Sequence, residues 1–381
     1  MSSVFTDAIS SLLSPIGDLL EDEGVSEVMI NGPHEIFVEK KGLVFKVPNQ
    51  FADEGALVSA MRAIAQSVHR TIDEDNPRLD ARLPDGSRIH VVLPPMAKNG
   101  TTVAIRKFSK EKLTLKDLIE FGSLSEMGAR FLDICVFLGK NVLVSGGTGS
   151  GKTTMLNVLG SRMPKTQRLI IIEDAAELQV KADHVVNFET RKADPMKGVD
   201  EVSIRDLVIS AMRLRPDRII VGEVRGDEAL DLVQVMNTGH DGSMGTVHAN
   251  NPIDACTRLE TLCLMGETKI PPDAIRKMVG SALQVIVQCN RYHDGGRRTS
   301  HISEVLGVDA HGNYIVKDIF KWVQTGRDPE TGKYIGEMVP CNYVPTFFED
   351  IVVNKLPFPK SNFLAPDWAR ELVNPNKKKA A

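Results

Sequence analysis

The sequence predicts an α/β protein: a parallel sheet wrapped by helices, preceded by a smaller α+β domain. Three observations predict it. Apolar runs such as Leu169-Ile170-Ile171-Ile172 are continuous rather than alternating, as strands buried on both faces of a parallel sheet require. From about residue 126 such runs alternate with helical patterns. Before that point, short strands and amphipathic helices mark a mixed domain with its own apolar core, and 381 residues leave room for two or three domains.

Taken in order, residues 5–22 are predicted as one helix, with Phe5, Ile9, Leu12, Leu13, Ile16, Leu19 and Leu20 at helical spacing. Val28-Met29-Ile30 and Ile36-Phe37-Val38 read as strands around an Asn31-Gly32-Pro33 turn. Leu57, Met61, Ile64 and Val68 give an amphipathic helix, and 88–93 and 101–106 read as strands. The expected N-terminal domain is therefore 1–107, joined by a more polar linker, 108–125, to a main domain over 126–320. Its strands are expected at 141–145, 169–172, 218–221, 245–247 and 285–287. After about residue 290 the pattern turns to hairpins, with turns at His311-Gly312-Asn313 and Pro329-Glu330-Thr331-Gly332, and 321–381 is expected as a C-terminal extension.

The strongest local signal is Gly146-Gly147-Thr148-Gly149-Ser150-Gly151-Lys152-Thr153-Thr154, set between the apolar run Val142-Leu143-Val144-Ser145 and a helical pattern. Strand, glycine-rich loop, Lys-Thr and helix make the context of a P-loop. Backbone N–H groups converge on phosphate oxygens where no Cβ intervenes, and the helix N-terminus adds partial positive charge. Lys152 is expected on the β- and γ-phosphates of ATP, and the Thr153 hydroxyl on Mg²⁺.

Two later strands end in carboxylates. Leu169–Ile172 runs into Glu173-Asp174-Ala175-Ala176-Glu177, and Ile219-Ile220-Val221 runs through Gly222 into Glu223. In a parallel sheet these lie on the same carboxyl edge as the P-loop, where ligands bind. Glu223 is expected to polarise the attacking water, and Glu177, with Asp174, to hold the Mg²⁺ hydration shell. A third segment, Gly239-His240-Asp241-Gly242-Ser243-Met244-Gly245-Thr246-Val247-His248-Ala249-Asn250, carries two histidines without zinc-ligand spacing. A neutral imidazole there suits a γ-phosphate or a carboxylate; a lone histidine is otherwise an ordinary structural residue.

Composition narrows the partners. A net charge of −4 and 5% aromatics argue against a nucleic-acid groove. Five scattered cysteines without a C-x-x-C pair fit free thiols in a reducing cytoplasm better than disulfides or zinc. No signal peptide and no membrane-length apolar run is evident, and Lys377-Lys378-Lys379 reads as a solvated tail.

The order P-loop, Glu-Asp-x-x-Glu, Arg-Pro-Asp-Arg-Ile-Ile-Val-Gly-Glu-Val-Arg-Gly and Gly-His-Asp-Gly-Ser-x-Gly-Thr-x-His-Ala-Asn resembles the type II/IV secretion ATPases, most of all the branch that assembles Tad/Flp pili. Leu79-Asp80-Ala81-Arg82-Leu83-Pro84-Asp85-Gly86-Ser87-Arg88 and Ile105-Arg106-Lys107-Phe108 extend the resemblance into the N-terminal domain. It implies a homohexameric ring of PAS-like N-terminal and RecA-like motor domains with nucleotide in the cleft between them. It places Glu177 on the family's Asp-box acid, Glu223 on its catalytic Walker B glutamate, and His240 and His248 in its His box. Arg88 and Arg106 fall on arginines that approach the phosphates when the cleft closes; Arg82 stays open between that role and an ordinary surface cation. Arg213, Arg215 and Arg225 are candidates for sensors or subunit contacts. The tetracysteine zinc module of the pilus-extension branch is absent, and the chain opens almost at its first domain, where many Tad-type relatives carry a leader. The resemblance implies a cytoplasmic motor peripheral to the inner membrane, acting on a membrane platform protein, with no nucleic-acid partner. The alternatives are a RecA-like nucleic-acid translocase or conjugation-type DNA-transfer ATPase, and a catalytically silent scaffold.

Overall fold

The computed structural model describes residues 11–40, 42–68, 70–83, 85–108, 113–193, 198–266 and 269–373, and the chain divides into two compact units, Met1–Lys112 and Leu113–Ala381. The first unit is built on β1 (Val25–Asn31), β2 (Ile36–Lys40), β3 (Leu43–Val47), β4 (Arg78–Arg82), β5 (Arg88–Val92) and β6 (Thr102–Arg106). They form one antiparallel sheet in the order β3-β2-β1-β6-β5-β4. Strand alternation buries Val28, Ile30, Ile36, Val38, Ile89, Val91, Val103 and Ile105 in one cluster. The helix Glu54–Ser67 completes that cluster with Leu57, Met61 and Ile64. Its start is fixed by Asp53, whose carboxylate accepts the Ala56 N–H at 2.8 Å.

Two expectations need correction here. The helix expected over 5–22 is not continuous: Ser14–Ile16 is a 3₁₀ turn with Pro15 near its start, and a short helix, Gly17–Glu21, follows. Phe5 and Ile9 lie outside the described residues. β3 and β4 were not read as strands, because Leu43, Val44 and Phe45 are all exposed and β4 is bracketed by arginines.

In the second unit, strands β7 (Val142–Gly146), β8 (Leu169–Glu173), β9 (Val185–Glu189), β10 (Arg218–Val221), β11 (Met244–Val247), β12 (Val285–Arg291), β13 (Arg297–Val308), β14 (Tyr314–Arg327) and β15 (Tyr334–Pro340) make one sheet. The order is β15-β14-β13-β12-β7-β11-β10-β8-β9. From β12 to β9 every neighbour is parallel; β13, β14 and β15 add an antiparallel wing. The parallel strands β7, β8, β10 and β11 are buried along their whole length, as their unbroken apolar runs demand. Helices cover both faces in two separate apolar clusters. This is the RecA-like arrangement that the sequence predicts.

The expected linker is in part a packed element. Thr114 and Asp117 form a capping box for the helix Leu115–Glu120, and Leu118 and Leu124 are buried with Phe131 in the second unit's core. The expected boundary at 320 cuts through β14. Phe131 sits among Phe320, Phe347, Phe358 and Phe363, with centroids 5.5 to 6.1 Å away. Buried Glu304 on β13 accepts hydrogen bonds from Tyr343 Oη at 2.7 Å and from the Thr346 N–H and hydroxyl. Residues 321–373 are thus part of the second unit's core rather than an appendage.

Ending the second unit at 320 removes Phe347, Phe358 and Phe363 from that cluster. At about 3–5 kcal/mol for each buried aromatic lost, the deficit matches the whole stability of a typical domain. A chain spanning 113–320 is expected to show no cooperative thermal unfolding, whereas one spanning 113–373 unfolds in a single transition. Circular dichroism melts of both pieces check this.

Candidate active site

The parallel strands deliver their carboxyl ends to one edge. β7 runs into the P-loop, β8 into Asp174 and Glu177, β10 into Glu223 and β11 into His248. The P-loop geometry has a specific steric cause. Gly146 has φ +154°, and a Cβ there would stand 2.2 Å from the Cys289 carbonyl oxygen on neighbouring β12. Thr148, Gly149, Ser150 and Gly151 then turn into the helix Lys152–Gly160, which carries Thr153 and Thr154 in its first turn. The Ser150 hydroxyl donates to the Gly147 carbonyl at 2.8 Å, and Lys152 Nζ donates to the same oxygen at 2.9 Å. The lysine is buried and curls into its own loop.

Glu223 is placed two residues past the end of β10, after Gly222, which leaves room. A Cβ at Gly222 would lie 2.8 Å from the Glu173 side chain. The Gly222 carbonyl accepts from the Thr246 hydroxyl at 2.7 Å, and the Val224 N–H donates to the Thr246 carbonyl at 2.9 Å, so β11 clamps the glutamate from both sides. Arg225 Nη2 donates to Glu223 Oε2 at 2.5 Å. His248 Nε2 lies 2.7 Å from Glu223 Oε1 but off hydrogen-bond alignment, which leaves that buried oxygen without a hydrogen-bond partner. Burial pushes the Glu223 carboxyl up, but the Arg225 hydrogen bond and charge, with His248 and Lys152, outweigh it and hold the group below its ordinary value. Burial, then the Lys152 cation, lowers His248 below its ordinary value, against the pull of Glu223, so the ring is neutral near pH 7.

Asp174 and Glu177 occupy the loop after β8. Asp174 Oδ2 lies 3.6 Å from Arg225 Nη1, and the Glu177 charge also acts on Arg225. The loop is shaped by Glu173, a buried carboxylate that accepts the Glu177 and Leu178 N–H groups at 3.0 Å each. The structure therefore gathers Lys152, Glu223, His248, Asp174, Glu177 and Arg225 in one electrostatic cluster.

His240 is not part of it. It precedes β11, whereas His248 follows it, so the two histidines sit at opposite ends of the strand. Beside His240, the Gly242 and Ser243 N–H groups bond Asn141 Oδ1, at the amino end of β7 and away from the P-loop. This corrects the expectation that both histidines join the nucleotide edge. Arg213 and Arg215 likewise precede β10, exposed at that far edge, while Arg218 is buried there with Nη1 on the Val136 carbonyl at 2.8 Å. Burial lowers the Arg218 guanidinium to about 10.

In the N-terminal unit, Arg82, Arg88 and Arg106 fall in register on adjacent strands: Arg82 opposite Arg88, and Arg88 opposite Arg106. Glu27 stands opposite Arg106 on the other side. The three arginines make one basic row at a sheet end.

Sequence reasoning missed the residues that hold the site together. Buried Gln288 on β12 accepts from the Ser145 hydroxyl at the end of β7, and its amide donates to the Ala249 carbonyl and to Asn290 Oδ1, each at 3.1 Å. It ties the strand that feeds the P-loop to the residue after His248. Arg297 Nε donates to the Gly149 carbonyl at 2.8 Å, and the Arg291 guanidinium lies beside the same glycine. No local pattern marks these residues, since their roles arise from strands adjacent only in the folded sheet.

A family model described as "Type II/IV secretion system protein" matches residues 11–313. The chain belongs to the type II/IV secretion system protein family. Among curated relatives of this family, the type IV secretion system protein VirB11 of Brucella suis is 35% identical over 323 residues, covering 77% of this chain and 88% of the relative. The conjugal transfer protein TrbB of Rhizobium radiobacter is 31% identical over 313 residues, covering 80% and 91%. The pilus retraction motor PilT, solved with bound ADP, shares the fold at 21% identity and a TM-score of 0.52, covering 91% of this chain and 86% of that one. The chain is thus a secretion-type ATPase, an ATP-hydrolysing enzyme. Among the described residues, no helix is long and apolar enough to cross a membrane.

Replacing Gln288 by leucine keeps the volume but strands the Ser145 hydroxyl and the Ala249 carbonyl. The variant is expected to lose about 1–3 kcal/mol of stability and to lose turnover more than nucleotide affinity. Urea unfolding together with ATP binding and hydrolysis measures both.

Proposed function

We propose that this family member is a homohexameric motor whose ATP cycle drives assembly, and possible retraction, of a Tad/Flp-type pilus or a related secretion machine through an inner-membrane platform protein. The observation that carries this reading is the convergence of Lys152, Glu223, His248 and Asp174 at the carboxyl edge of the sheet. The relatives' names extend to type IV secretion and conjugal transfer, and the fourfold motif order favours the Tad/Flp branch.

The donor set suits ATP with Mg²⁺. The P-loop of Gly146, Gly147, Thr148, Gly149, Ser150 and Gly151 offers backbone N–H groups, Lys152 and the helix N-terminus add positive charge, and Thr153 and Thr154 follow. Glu223 Oε1 is a buried acceptor with no aligned donor. Thr153, Asp174 and Glu177 would hold Mg²⁺, which supplies charge neutralisation on the phosphates. Glu223 would orient and deprotonate water, with neutral His248 standing 2.7 Å from its Oε1. Arg88 and Arg106 would meet the developing charge on the phosphates.

Conjugal relatives keep a second reading alive, a DNA-transfer ATPase. Stimulation of hydrolysis by DNA would favour it; stimulation by a platform membrane protein favours the pilus reading.

Lys152 acts on the bound ground state and Glu223 on the transition state. Lys152→Ala is expected to abolish ATP binding, whereas Glu223→Gln binds ATP and turns it over about 10²–10⁴-fold more slowly. Single-turnover hydrolysis at parent rate in Glu223→Gln overturns the assignment. By the same logic, Arg88→Ala or Arg106→Ala leaves binding largely intact and cuts turnover on the order of 10³-fold, and lysine does not rescue either because a point charge lacks the planar fork. Folded variants that hydrolyse ATP at the parent rate would remove the arginines from the mechanism.

A further inference from the structure

Arg225 is the one group in the cluster that touches both carboxylate sets. Its Nη2 bonds Glu223 Oε2 at 2.5 Å and its Nη1 lies 3.6 Å from Asp174 Oδ2, so one guanidinium bridges the ends of β10 and β8. Glu177 adds its charge to the same guanidinium. The backbone beneath is pinned: the Arg225 and Gly226 N–H groups both donate to buried Glu228 Oε1, at 2.6 and 2.9 Å. The side chain itself is 56% exposed on a flexible stem, free to swing away without disturbing the turn.

Three carboxylates gathered around one lysine would repel one another if nothing else neutralised them. Arg225 supplies that charge. A hydrated divalent cation would need Asp174 and an attacking water would need Glu223. The guanidinium hydrogen-bonds Glu223 and stands at ion-pair distance, 3.6 Å, from Asp174, so it contends with both.

We propose that Arg225 is a counter-ion latch, bridging Glu223 and Asp174 and competing for Asp174 with the divalent cation that accompanies the nucleotide. This inference rests on the ATPase reading above and adds to it a residue that sets the metal requirement. Because linkage is reciprocal, whatever the cation must do to displace Arg225 is subtracted from the cation's own affinity. Removing the guanidinium therefore tightens metal-dependent nucleotide binding, while binding without metal stays as it was.

The test uses the full chain and a fluorescent ADP analogue, titrated at rising Mg²⁺ and separately in EDTA, for the parent, Arg225→Gln, Arg225→Lys and Lys152→Ala. The expected result is a Mg²⁺ midpoint about tenfold lower in Arg225→Gln, within the usual range of coupled sites. Arg225→Lys, which keeps the charge but loses the fork, falls between. Affinity in EDTA is the same in the parent, Arg225→Gln and Arg225→Lys. A residue that merely supports the fold would weaken binding with and without metal alike. An unchanged or raised Mg²⁺ midpoint in Arg225→Gln and Arg225→Lys overturns the latch and leaves the contrast between parent and Lys152→Ala intact. Loss of that contrast overturns the ATPase site itself, and the latch with it.

Discussion

Strand β7 is held at both ends by buried amide side chains, and the nucleotide edge depends on that restraint. At the amino end, Asn141 donates to the Met236 and Ala282 carbonyls and accepts the Gly242 and Ser243 N–H groups. At the carboxyl end, Gln288 joins Ser145 to Ala249. A hydrogen-bonded amide in a dry interior has one acceptable geometry, and losing a partner costs the full desolvation of the group left behind. β7 therefore cannot slide against β11 or β12. Gly146 follows directly, and its close approach to the Cys289 carbonyl allows no side chain. The phosphate loop inherits its position from this clamp rather than from its own short sequence.

Electrostatics then divide the sheet. The carboxyl edge collects acids that need a cation: Asp174, Glu177 and Glu223 face Lys152 and Arg225. The position of Glu223 is imposed by neighbours on both sides, Glu173 packed against Gly222 and Thr246 bonded to its carbonyl. Its low basicity in the resting chain follows from Arg225, which overrides the effect of burial.

Much of this was legible in the sequence, for a physical reason. The P-loop is contiguous, and Glu223 and His248 each follow a short apolar strand, so their edge could be inferred from strand direction alone. His240 fails the same test. β11 has four residues, and at about 3.3 Å per residue its ends stand roughly 13 Å apart. A motif that reads as one box is split by the strand running through its middle. Gln288, Asn141 and Arg297 act through neighbours brought together by sheet order, which no local pattern encodes. The C-terminal segment was opaque for a related reason: Phe347, Phe358 and Phe363 gather on Phe131, on a helix far upstream, and no helical or strand period spaces them, although Phe358 also meets Phe363 at 5.2 Å.

The N-terminal unit poses the opposite problem, because its sheet places like charges together. Arg82, Arg88 and Arg106 are directly opposed across β4, β5 and β6, with two acids, Glu27 and Glu39, next in the row. Cross-strand pairs of one sign cost stability, by roughly the few tenths of a kcal/mol to 1 kcal/mol that opposite pairs contribute. Nothing in the sheet's apolar face requires arginine at these positions, since the core is carried by the alternate residues Ile89, Val91, Val103 and Ile105. Three guanidiniums at one sheet end form a concentrated positive field, and each fork matches the oxygens of a phosphate. The row supports the role proposed for Arg88 and Arg106, and its register extends the same argument to Arg82, which lies nearest Arg88 across the β4–β5 turn.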